Sequence, residues 1–182
     1  MQWLDELGNS VRREFGDSPK LMVLATVDRS GAPHARMVVC RRIDEEGRLY
    51  VATDARTEKA AQLRGERRVE AVFWLPSQQT QFRISGEAKI VAFAEDETLR
   101  RQLWRELNDQ ARAMFFWPTP GIARSTDDVF AQAVSADVPP PQAFEVLIIE
   151  PRQVDRLSLD SHPHRRRVWR ADAKWAPVDV NP

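Results

Sequence analysis

The chain has one cysteine, Cys40, and three histidines among its 182 residues. An internal disulfide is impossible, and a structural metal site built on thiolates is excluded with it. Net charge is missing too, since 27 Lys and Arg face 27 Asp and Glu. That balance removes any global attraction toward nucleic acid or an anionic membrane, so neither is an expected partner. Long apolar runs are absent. The best, Leu21 to Val27 and Phe144 to Ile149, fall far short of the roughly 18 residues a membrane span requires. The opening residues Met1-Gln2-Trp3-Leu4-Asp5 lack the basic start and apolar stretch of a secretory signal, and a cytoplasmic location is the expectation. No Gly-x-Ser-x-Gly elbow supports acyl transfer. His162 and His164 have no Glu or Cys at helical ligand spacing, so no metal is expected.

What is present is a composition of 42% hydrophobic and 30% charged residues, that of a soluble folded domain. At roughly 150 residues per domain the length suggests a single domain over residues 1–182. Trp3, Leu7, Val11 and Phe15 recur every four residues, the stripe of an amphipathic helix serving as a lid or a dimer arm. Leu21 to Val27 and His34 to Ile43 read as a hairpin across Asp28-Arg29-Ser30-Gly31-Ala32-Pro33. A third strand, Leu49 to Thr53, runs into a short helix over Thr57 to Leu63. Val69 to Leu75 and Gln79 to Ala92 form another hairpin, with Ser85-Gly86 a bulge or a point of close approach. Leu99, Leu103, Leu107, Ala111 and Phe115 then mark one further helix.

Trp117-Pro118-Thr119-Pro120-Gly121 stops that helix, and residues 118–143 read as a surface excursion. Beyond it, Phe144 to Ile149 and Val154 to Leu159 read as two strands, and Arg167 to Arg170 pairs with the stretch through Trp175. Hairpins dominate and strand–helix–strand alternation is absent. The expected fold is therefore mainly β, a small β-barrel with peripheral helices.

Two constellations can carry chemistry. In the first, Arg36-Met37-Val38-Val39-Cys40-Arg41 places a cation at each end of an apolar strand, and Thr53-Asp54-Ala55-Arg56-Thr57-Glu58-Lys59 follows at a strand-to-helix junction. The N–H groups of the helix start, the Thr57 hydroxyl, Lys59 and Arg56 can converge on a phosphate, with Arg36 or Arg41 reaching over. The plainer alternative is that Thr57 only caps the helix and the cations are solvated. Arg36 and Arg41 are five apart, hence on opposite faces of a regular strand, and only a bulge or a site shared across a dimer reconciles them. In the second constellation Gln81, Arg83 and Ser85 share one strand face, with Phe82 and Ile84 on the other. A Gln amide both donates and accepts, which suits the edge of a heteroaromatic ring, though an ordinary solvent face has the same pattern.

These blocks, with Tyr50 and Gln81-Phe82-Arg83-Ile84-Ser85-Gly86, resemble in order and spacing the FMN-binding core of the pyridoxamine 5′-phosphate oxidase family. The Gln-Phe-Arg-Ile-x-Gly strand and the Trp-Pro-x-Pro-Gly turn are most similar to its divergent oxidase-related branch. The resemblance implies an FMN-binding split β-barrel that forms a homodimer with FMN at the subunit interface. It places Arg36, Met37, Val38 and Val39 along the flavin, Arg41 near its phosphate or ring edge, and Ala52 and Thr53 beside the ribityl chain. Thr57 and Lys59 fall on the phosphate, and Gln81 faces the isoalloxazine. Arg165, within His164-Arg165-Arg166-Arg167, is the implied contact from the other subunit. Trp117, in its Pro-bracketed turn, and His164 are the candidates for the substrate side.

The chain also departs from the family. Glu58 stands where the oxidase has a second phosphate-binding Arg, leaving Arg56 to replace that cation. Tyr50 is the only tyrosine, and Trp104 to Asp109 does not reproduce the oxidase's substrate cluster. Ser161-His162-Pro163 stands in place of its Arg-x-His pair. The resemblance thus implies an FMN-dependent oxidase or reductase acting on a small molecule, without implying pyridoxamine phosphate as that molecule. The alternative is a non-catalytic flavin or tetrapyrrole binder on the same barrel.

Overall fold

Alternation of apolar and polar residues decides the architecture. In the computed structural model, which describes residues 1–182, a first helix α1 (Gln2–Phe15) precedes strands β1 (Lys20–Val27), β2 (Pro33–Ile43) and β3 (Leu49–Asp54). Helix α2 (Glu58–Gly65), β4 (Arg68–Leu75) and β5 (Thr80–Val91) follow, then α3 (Glu97–Glu106) and α4 (Asp109–Ala113). Strands β6 (Phe144–Ser158), β7 (Arg165–Arg170) and β8 (Val178–Val180) complete the chain. The sheet runs β3-β2-β1-β4-β5-β6-β7-β8, and a further β3–β6 pairing closes six of these strands into a barrel. Strand β6 manages this by dividing one edge: Phe144–Ile149 pairs with β3 and Gln153–Ser158 with β7.

Every second residue points inward. Met22, Leu24, Ala71, Phe73, Phe82 and Ile84 are all buried, and their neighbours in sequence face outward. Helix α1 plugs the barrel of its own chain, as the lid rather than the arm, because Trp3, Leu7 and Val11 join the same core. Gly47 is required beneath that plug: its φ is +83°, and a Cβ there would lie 2.3 Å from the Trp3 ring. A second cluster, including Leu103, Trp104 and Phe144, seats α3 against the β3–β6 seam.

Three expectations need correction. The single helix over Leu99 to Phe115 is broken at Leu107, because the Asn108 carboxamide accepts from the Ala111 N–H and starts a new helix. Phe144 to Ile149 and Val154 to Leu159 are one strand, with Pro151 accommodated where the pairing shifts opposite Ser85 and Gly86. Trp175 lies in a turn with φ +60°, and the last strand begins at Val178. At Ser85–Gly86 both expected features coincide, since the register shifts there and a Cβ on Gly86 would lie 2.2 Å from the Glu150 carbonyl oxygen.

The 118–143 excursion contains no helix or strand and is held by side-chain donors to its carbonyls. Trp117 Nε1 donates to Ala131, Arg112 Nε to Val134, Trp104 Nε1 to Val138 and Arg100 Nη2 to Pro141, all at 2.7–2.9 Å. No helix is long and apolar enough to cross a membrane.

Candidate functional site

Arg36 points inward at the end of β2, in line with Val38 and Cys40. Its guanidinium donates to the Leu24 carbonyl at 3.1 Å, the Thr26 hydroxyl at 2.6 Å and Gln62 Oε1 at 3.0 Å. Thr26 in turn donates to Gln62 at 2.6 Å, so the cation is fixed by a strand and by α2 together. Burial lowers the Arg36 pKa, partly offset by the nearby Glu58. Lys59 in the first turn of α2 stands in the same field: burial lowers its pKa first, Arg36 lowers it further, and Asp54 opposes both. Its only hydrogen bond is to Thr57 Oγ1 at 3.2 Å. Thr57 stands at the N-cap of α2, as the plainer alternative has it, but its hydroxyl donates to the Asp54 carbonyl at 2.7 Å and makes no side-chain cap.

Arg41 is the extra residue of a β-bulge, since Cys40 pairs with Val51 and Arg42 already pairs with Tyr50. The parity conflict between Arg36 and Arg41 is interrupted there. Arg41 Nε is buried without a hydrogen-bond partner, as is Thr53 Oγ1 on β3. Burial lowers the Arg41 pKa, with Cys40 and Glu106 acting against it. Arg36, Arg41 and Lys59 are half-buried, and none has a carboxylate within ion-pair distance. Arg56 is different. It grips Asp54 with contacts of 2.6–3.2 Å and donates to the Trp117 carbonyl at 2.8 Å, so it fastens the β3–α2 turn and does not replace the cation lost at Glu58.

Ala52, Thr57 and Lys59 form one side of a pocket of about 560 Å³. The other side comes from Phe115, Trp117 and the excursion through Phe130. Trp117 is therefore brought to Lys59. Gln81 is elsewhere, facing outward in a hollow of about 140 Å³ with Arg83, Asp155, Leu157 and Arg166. Asp155 is buried, which pushes its pKa up, yet hydrogen bonds from Arg166 and Arg83 hold it below the ordinary value. Arg165 and His164 line a third hollow of about 340 Å³, where Arg165 is bound by Asp160 at 2.8 Å. Within one chain Lys59, Gln81 and Arg165 thus fall into three separate hollows, and Arg36 and Arg41 line none of these. Val38 is turned into the core and has only its backbone to offer, while Met37 is 57% exposed and Val39 half-buried on the outer face.

Sequence reading missed Thr26 and Gln62 as the anchors of Arg36, and missed the Arg83–Asp155–Arg166 cluster. The inward alternation of Met22, Leu24 and Thr26 was the available signal for the first. Nothing local announced the second, whose members lie on three strands.

A family model described as pyridoxamine 5′-phosphate oxidase, FMN-binding domain, matches residues 1–92. The pyridoxine/pyridoxamine 5′-phosphate oxidase of Pseudomonas paraeruginosa is 33% identical over 96 residues, 53% of this chain and 43% of that protein. That of Chromohalobacter salexigens is 38% identical over 68 residues, covering 37% and 31%. The matched part spans less than half the length of these curated relatives. Among solved structures, a pyridoxamine 5′-phosphate oxidase-related, FMN-binding protein from Nostoc punctiforme superposes with a TM-score of 0.90 at 27% identity, covering 100% of this chain and 98% of that one. PhzG from Burkholderia lata, in complex with tetrahydrophenazine-1-carboxylic acid, gives 0.74 at 22%, covering 100% and 89%.

Proposed function

The chain belongs to the pyridoxamine 5′-phosphate oxidase FMN-binding domain family, and from that premise we propose that it is an FMN-dependent oxidoreductase whose flavin lies between two copies of the chain. The observation that carries this reading is the pair of half-buried cations without carboxylate partners at α2, Arg36 held against the helix by Gln62 and Lys59 in its first turn, with Arg41 a third such cation farther along β2. Cations in such a place are costly unless an anion completes them. A phosphate monoester meets that need, with Lys59 as its side-chain donor, Thr57 joining it once its hydroxyl turns from the Asp54 carbonyl, and the N–H groups of the first turn of α2 as its backbone donors. The buried, unpartnered Arg41 Nε and Thr53 Oγ1 are further donors suited to a polar cofactor. When bound, FMN supplies hydride and electron transfer, and the protein supplies binding and orientation. Arg36 reinforces the phosphate field from its fixed seat, Ala52 and Thr53 flank the ribityl chain, and Met37 and Val39 offer apolar contact. Gln81 reads the ring edge.

A second copy accounts for the remaining residues. Leu21, Met37 and Trp74 expose large apolar side chains on the outer face of β1, β2 and β4, where Leu21 sits opposite Val39 and Trp74 opposite Gln81. In the proposed pair of chains, Arg165 and His164 of one copy complete the flavin site of the other. The only tyrosine, Tyr50, spends its hydroxyl on Asp44 at 2.9 Å, which favours a substrate other than pyridoxamine phosphate. The same observation keeps a non-catalytic flavin or tetrapyrrole binder as the second reading. Turnover decides between them: with the flavin-loaded protein, steady oxidation of a reduced donor with stoichiometric consumption of oxygen or another acceptor is expected. A flavin that is bound and never turns over supports the binder.

A further inference from the structure

The excursion builds more than a surface loop, because its residues supply most of the wall of the 560 Å³ pocket at Lys59. That volume includes the Ala52, Thr57 and Lys59 side assigned above to the flavin, and the excursion forms the side facing it. Phe115, Trp117, Ile122 and Phe130 make the wall apolar and aromatic. Trp117 is fixed by its bond to the Ala131 carbonyl and by an edge contact with Phe130, ring centroids 5.5 Å apart. Pro118 and Pro120 stiffen the same stretch.

Two cations line this pocket, Lys59 and Arg124. If Ala52, Thr57 and Lys59 are committed to the flavin, the reading on which this inference rests, the excursion side of the pocket is what remains for a second ligand, and Arg124 is its cation. Its guanidinium lies over the Phe130 ring, 5.0 Å from the centroid, and forms no ion pair. Of the two acidic groups in the wall, Asp54 is held by Arg56, and Asp128 accepts from the Ser125 N–H at 2.8 Å. Asp128 also disfavours a ligand carrying a second negative charge nearby.

We infer that the excursion pocket is the substrate chamber, that it takes a planar aromatic monocarboxylate, and that Arg124 receives the carboxylate while Trp117 and Phe130 contact the ring. A carboxylate matches the two-pronged donor geometry of one guanidinium, and aromatic rings pack on Trp and Phe by offset or edge contacts. A neutral ring of the same shape gains the wall contacts without the ion pair.

The test is calorimetric titration of the FMN-loaded protein with 2-naphthoate and with its neutral isostere 2-naphthamide, flavin content being checked by absorbance. Naphthoate is expected to bind about tenfold more tightly, the scale of one hydrogen-bonded charge pair. Arg124→Gln is expected to abolish that preference, naphthoate and naphthamide binding equally to the variant. Arg124 is exposed, and an unchanged far-ultraviolet circular dichroism spectrum and flavin content check that the variant folds. Phe130→Ala is expected to weaken both probes. Equal binding of the two probes to flavin-loaded protein, or a preference that survives Arg124→Gln, overturns the inference and leaves the flavin reading standing. If the unmodified protein retains no FMN and the naphthoate preference is lost in Lys59→Ala instead, the flavin reading fails and takes this inference with it.

Discussion

Burial and Arg36 both lower the Lys59 pKa, with Asp54 opposing them, and the phosphate proposed beside it would act in the opposite direction. Asp155 shows the opposite arrangement. Two guanidinium groups hold its folded-state pKa below the ordinary value against the effect of burial. The folded carboxylate therefore takes up a proton less readily than the unfolded one. Its contribution to stability is complete above the unfolded pKa, about 3.9, and is lost as pH falls through the lower folded value. Arg166→Gln removes one of the two partners and is expected to move the acid-unfolding midpoint, followed by tryptophan fluorescence, to higher pH; an unmoved midpoint contradicts the role given to the cluster. The outward row Gln81, Arg83 and Ser85 was legible from alternation alone. Arg56 was misread because its Asp54 partner lies two residues away, but the Trp117 carbonyl that completes its seat lies 61 residues on.

Elements were legible where one period ran uninterrupted. Strands β1 to β5 and helix α1 follow their apolar patterns to within a few residues. The failures came where a side chain outweighed the period: Asn108 restarts a helix inside a continuous Leu stripe, and Pro151 sits within a strand at a register shift. Such shifts place two backbones close together, and Gly86 is the position that permits it. Gly86→Ala sets a Cβ 2.2 Å from the Glu150 carbonyl oxygen, and the expected loss is about 2–3 kcal/mol. Urea unfolding reads it, and a loss below the few tenths typical of surface changes contradicts the close packing drawn there.

At the scale of the molecule, the β3–β6 pairing that closes the barrel joins residues about ninety positions apart, as between Thr53 and Glu145. No local pattern encodes it, and the barrel was read from the resemblance and the excess of hairpins. The separation of Gln81 and Arg165 from the cation cluster has the same origin, since the proposed site is complete only in a pair of chains. Met37→Asp on the outer face is expected to yield monomers by sedimentation and to release FMN; a stable dimer with full flavin content contradicts the proposed interface. The central claim, that the flavin is held through its phosphate by Lys59 and its neighbours, is tested most directly by titrating flavin-free protein with FMN and with riboflavin. The account predicts that FMN binds at least tenfold more tightly than riboflavin, and that Lys59→Ala removes most of the difference. Riboflavin binding as tightly as FMN, or an FMN preference untouched by Lys59→Ala, would contradict it.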